Sequence, residues 1–115
     1  MSLREKRSIN PVRDNLIATG LYHSFQLPDG RRLEGAIQYE FLLERWNSFQ
    51  LPSNLAGKTA LDIGPWDGFF TFALEQAGAQ VTAVDYVDLD TFRALHRAFD
   101  SKARYLQNDV GIPGM

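Results

Sequence analysis

The sequence contains no cysteine, which excludes a disulfide scaffold, a thiolate metal site and a cysteine nucleophile. It has no apolar run near the ~20 residues that a helix needs to span a bilayer. An excess of one charge is missing too: 12 Lys and Arg stand against 14 Asp and Glu, a formal net charge of −2. That excludes a polycationic nucleic-acid binder held by counterion release alone. Arg4, Lys6 and Arg7 make the start basic, but no apolar core follows them, so no secretory leader is expected. The two histidines, His23 and His96, stand alone; a structural or surface role is expected for both, and no spacing suggests a metal site. What is present is ordinary: 115 residues, 44% hydrophobic and 23% charged, enough for one domain. A soluble, cytoplasmic protein is expected.

The first half is a lead-in. Asn10-Pro11 reads as a helix start, and Gly20 as its stop. Leu21, His23, Phe25 and Leu27 alternate with other residues, and Pro28-Asp29-Gly30 is a turn signal, so a hairpin over 21–34 is expected. Tyr39, Leu42, Leu43, Trp46 and Phe49 recur at helical steps, which predicts an amphipathic helix over 36–50 ending before Pro52. Such a stripe is read as a packing face rather than a cofactor box.

The second half has another rhythm. Strands are expected at 59–63, 80–85 and 103–107, with helices at 68–77 and 90–99. Strand, helix, strand, helix, strand implies parallel crossovers, and the apolar runs imply strands buried on both faces. Leu61-Asp62-Ile63-Gly64-Pro65-Trp66-Asp67-Gly68 sits where the first of these strands turns into a helix. Gly64 allows a sharp turn and a bare backbone for a ligand, and Gly68 opens the helix. Asp85 ends the next strand, where doubly wound sheets bind ligands and an acidic side chain can accept ribose hydroxyls. Asp62 is either a loop cap or a ligand-facing group, and both roles can hold together. Asp67 reads as a helix N-cap, as do Asp88 and Asp90 for the next helix.

Two nucleotide motifs fail. The hydride-cofactor fingerprint needs glycine at its first, third and sixth positions, which from Gly64 are Gly64, Trp66 and Phe69. A phosphate loop at Gly57-Lys58-Thr59 would need glycine where Pro52 stands. An NAD-dependent oxidoreductase is therefore the weakest reading. A non-catalytic nucleotide-binding or interaction module is the stronger alternative to the reading that follows.

Residues 58–86, KTALDIGPWDGFFTFALEQAGAQVTAVDY, resemble the cofactor half of class I S-adenosylmethionine-dependent methyltransferases. Asp62, Gly64 and Gly68 match that family's acidic strand end and glycine loop, while Trp66 replaces its central glycine. The LPDGR turn and the aromatic helix are similar to the branch holding tRNA wobble-uridine carboxymethyl-transferring enzymes. The resemblance implies a Rossmann-like α/β fold that binds S-adenosylmethionine. It implies that the backbone from Gly64 through Pro65 and Trp66 to Gly68 lines the methionine moiety. Asp85 would hold the ribose, Tyr86 would lie beside adenine, Asp109 would reach the adenine amino group, and Val110 would stack nearby. RNA is one candidate acceptor, and no catalytic residue is assigned.

The sheet of that family has more strands than this sequence supplies. The expectation is a lead-in over 1–56 and a partial cofactor-binding domain over 57–115, an N-terminal portion inactive alone. Its strand 59–63 would form a bare edge, and self-association as a homo-oligomer, a two-fold dimer, would cover it.

Overall fold

The computed structural model describes residues 20–108. The helix expected from Asn10-Pro11, and the candidate residues Asp109 and Val110, lie outside them. The hairpin is there but short: β1 (Phe25–Gln26) pairs antiparallel with β2 (Arg32–Leu33), Phe25 opposite Leu33. Its turn closes as the sequence suggests, with the Gly30 amide donating to Leu27 O at 2.9 Å. Residues 21–24 leave the hairpin for another partner. The amides of Ala36 and Ile37 donate to the carbonyls of Leu21 and Tyr22 at 2.9 Å, and His23 bridges Ile37.

Helix α1 (Tyr39–Ser48) follows, shorter than its apolar spacing predicts. The expected packing face is present in part, with Leu42 in the core and Tyr39 packed against it. Only Leu42 is buried, while Leu43 and Phe49 are 38% and 48% exposed. The helix stands as a wall between two cavities: Leu43 and Trp46 border one, Phe41 and Leu42 the other.

The parallel sheet is β3 (Thr59–Ile63), β4 (Gln80–Asp85) and β5 (Arg104–Gln107), in the order β3-β4-β5. Ala60 stands opposite Val81, Asp62 opposite Ala83, and Ala83 opposite Tyr105. These residues point to one face, because Asp62 accepts a hydrogen bond from Thr71 of α2 (Phe69–Gln76), and Tyr105 stacks on Phe92 of α3 (Asp90–Ala98) with ring centres 3.8 Å apart. Sequential parallel strands without a reversal place both crossover helices on that same face.

The core fills the space between that face, the two helices and the hairpin. Phe25, Phe72, Phe92 and Leu95 are at most 2% exposed, and Phe72 stacks on Phe99 at 4.9 Å. Each such side chain contributes about 1.5–3 kcal/mol by leaving water. Among the described residues no helix is long and apolar enough to cross a membrane.

The expectation that the strands are buried on both faces holds for β4 and fails for β3. Val84 is 7% exposed, but Leu61 and Ile63 are 62% and 58% exposed. β3 is an edge strand, and its second face meets no helix among the described residues. Helices α2 and α3 also start without the expected caps: Gly68 and Leu89 occupy the N-cap positions, and neither makes a side-chain cap. Asp88 instead forms a forked ion pair with Arg93, at 2.6 and 2.9 Å.

Candidate functional site

The chain leaves β3 at Gly64, whose amide still donates to Val84 O at 2.8 Å. It then turns through a loop in which Gly64, Trp66 and Gly68 have φ of +70°, +57° and +103°. Trp66 thus takes the left-handed backbone that a central glycine would take, at a cost of roughly 1–2 kcal/mol for a residue with a Cβ. Its amide faces Asp85, donating to Oδ2 at 3.3 Å. The glycines differ in kind. A Cβ on Gly64 would meet nothing within 4 Å, whereas one on Gly68 would lie 2.7 Å from Phe72 Cε2 and 2.8 Å from Phe92 Cε2. Gly64 opens onto free space, and Gly68 lets the loop press against the core.

Asp85 ends β4 and is 4% exposed. Its Oδ1 accepts from the Tyr86 amide at 2.8 Å and, more distantly, from Val87 at 3.5 Å. The carboxylate therefore ties the tip of β4 to the loop after β3. Tyr86 projects outward, 66% exposed.

Asp67 does not cap α2. It is fully buried and reaches back to the segment before the hairpin. Its Oδ2 accepts from the Tyr22 amide at 2.7 Å and from the His23 amide at 3.2 Å, and its Oδ1 pairs with His23 Nδ1. A buried carboxylate needs such donors, since unpaired charge in the interior is costly. Sequence reasoning placed His23 among surface or structural residues and Asp67 at a helix end. No local signal joins two residues so far apart in the chain.

His23, Asp62, Gly64, Pro65 and Trp66 are among the residues lining a cavity of about 480 Å³, a usual size for a small-molecule site. Tyr22 packs its ring 5.3 Å from that of Trp66 at the rim. α1 closes the opposite side with Phe41, Leu42 and Arg45. Asp62 accepts from Thr71 Oγ1 at 2.7 Å. Burial pushes its carboxyl above the ordinary range. The Thr71 hydroxyl and His23 pull the other way, and Asp85 adds to the rise. The arrangement brings a carboxyl, an imidazole and an open glycine backbone to one aromatic-walled space.

Of the residues expected from the sequence, Asp62, Gly64, Pro65 and Trp66 therefore come together around one cavity. Asp85 lies behind the loop, bonded to its backbone, with Tyr86 beside it, and Gly68 faces the core. Another cavity, about 440 Å³, lies between α1 and α2, and among the described residues its wall has no acidic, basic or imidazole side chain. No protein-family model matches the chain, and no curated protein matches it either.

Proposed function

We propose that the chain is the cofactor-binding part of an S-adenosylmethionine-dependent methyltransferase that moves a one-carbon group to an acceptor. The observation that carries this reading is the loop from Gly64 to Gly68. It joins a parallel strand to its crossover helix, turns left-handed at every second residue, and faces open space at Gly64. Two features of the residues support this cofactor. Gly64 allows close approach of its methionine part, and Asp85 stands at the neighbouring strand tip, where a ribose would lie. Asp85 keeps acceptor capacity, because a carboxylate offers about four lone-pair sites and two of its three amide contacts are long. When bound, the sulfonium supplies an electrophilic carbon and a neutral thioether leaving group. The chain's part is alignment of the reacting groups and exclusion of water by the aromatic wall.

One observation favours a second reading, a binding or interaction module without chemistry: both oxygens of Asp85 already serve the protein's own backbone. Calorimetry with S-adenosylmethionine, S-adenosylhomocysteine and NAD separates the readings. Binding of both sulfur compounds, lost in Asp85→Ala, supports the first. A folded chain that binds neither supports the second, and binding of NAD alone defeats both. Among the described residues β3 has an unpaired outer edge, with Leu61 and Ile63 exposed, and two copies pairing there about a two-fold axis would cover it.

A further inference from the structure

We infer that His23 and Asp67 form a working dyad whose free ring nitrogen accepts the proton of a small aromatic hydroxyl compound held in the cavity beside Asp62 and Trp66. Asp67 is fully buried and holds His23 Nδ1, so in the neutral ring the proton belongs on Nδ1 and Nε2 is the lone-pair nitrogen. Among the described residues nothing bonds Nε2. Among the described residues no fully buried side-chain nitrogen or oxygen is without a partner, so Nε2 keeps contact with open space, and His23 is among the residues lining the cavity. His96 provides the contrast: its Nε2 bonds Ala103 O at 2.9 Å and is consumed by the fold.

The rest of the wall suggests what Nε2 would meet. Phe41, Leu42, Phe70 and Trp66 present apolar and aromatic surface, suited to a flat ring. Asp62, with its carboxyl pushed up by burial, and Arg45 are the charged groups among them. A phenol-like molecule places its ring against these walls and its O–H on Nε2. The catalytic role rests on the methyl-transfer reading. There the acceptor oxygen forms a bond to the methyl carbon, and the carbon–sulfur bond breaks with its electron pair going to sulfur. The O–H proton passes to His23 Nε2, and Asp67 balances the imidazolium. Asp67 is then a positioning residue, holding the tautomer and charge of the base.

The test uses the whole chain labelled with nitrogen-15, at about pH 8, where an ordinary imidazole is neutral. Long-range proton–nitrogen spectra report the tautomer of each histidine, and phenol is titrated as the probe. The expected result is an unprotonated Nε2 on His23 whose resonance moves as phenol binds, while His96 stays still. Asp67→Asn should turn the ring over, because the amide donates to Nδ1, and weaken phenol roughly two- to twelvefold, the worth of one hydrogen bond. A purely structural Asp67 would also change the tautomer on this substitution but would leave the affinity for phenol unchanged. A proton on Nε2 in the unmodified chain, no phenol binding, or binding that leaves His23 unmoved overturns the inference. If Asp67→Asn fails to fold, these wild-type measurements decide alone. Titration with S-adenosylhomocysteine runs in parallel. Its failure beside a positive phenol response removes the methyl-transfer reading and leaves the dyad, and the reverse outcome does the opposite.

Discussion

Gly64 and Gly68 lie four positions apart in one loop, and alanine at each should fail for a different reason. At Gly68 the new methyl group would sit 2.7–2.9 Å from ring atoms of Phe72 and Phe92. Both rings are buried, at 2% and 0% exposure, and have no room to retreat. Overpacking of this kind costs about 1–3 kcal/mol. The backbone at φ +103° adds about 1–3 kcal/mol more for a residue with a Cβ. Gly68→Ala should therefore lose roughly 2–6 kcal/mol. Gly64→Ala bears only the left-handed penalty, about 1–2 kcal/mol, because its methyl meets no neighbour. Its main loss should be affinity for S-adenosylhomocysteine, since that methyl occupies the space assigned to the ligand. Urea unfolding gives the stability difference, and calorimetry gives the affinity. Thermal midpoints should fall about 4–8 °C per kcal/mol for a domain of this size. Equal destabilisation by the two substitutions, or unchanged affinity in a folded Gly64→Ala, would refute the division of roles.

Three further outcomes are expected. Burial raises the Asp62 carboxyl in the fold above its ordinary 3.8, so its contribution to stability is full below that pH and declines as pH climbs through the folded value. Asp62→Asn should flatten that decline while still accepting from Thr71, and parallel urea curves across acidic to neutral pH check it. At position 66, glycine should match or exceed alanine in stability, by up to roughly 1 kcal/mol, because φ is +57°. Equilibrium unfolding of Trp66→Gly and Trp66→Ala decides it, and alanine ahead of glycine by the usual margin counts against a left-handed Trp66. Pairing along β3 should double the mass seen in sedimentation as concentration rises, and Leu61→Lys should abolish this. Stability should change by less than about 0.5 kcal/mol, because Leu61 is 62% exposed. A single monomeric species at high concentration rules out the pairing.

The sequence carried the parallel half of the fold well. Residues 80–85 form a strand as the apolar run required, and the glycines at 64 and 68 bracket the turn into a helix. Local pattern sufficed there because each crossover is built from neighbours in the chain. The same pattern misled at β3: Leu61 and Ile63 look like core residues whether or not a layer lies over them. α1 shows a related failure, since helical spacing of aromatics does not say how closely the neighbouring elements approach. Among site residues, Asp62, Gly64, Pro65 and Trp66 meet at one cavity. The Asp67–His23 pair was invisible because the chain folds back across the whole hairpin and α1 to make it. An aspartate just before a helix also matches an N-cap by type alone.

That clasp makes cavity formation a long-range event. The imidazole and Tyr22 come from the segment before the hairpin, Phe41 and Arg45 from α1, and the glycine turn from the far side of β3. Until those pieces dock there is no enclosed space to fill, so occupancy and docking are linked equilibria. A molecule bound beside Trp66 should slow amide hydrogen exchange at Tyr22, His23 and Ile37 as well as in the turn that touches it.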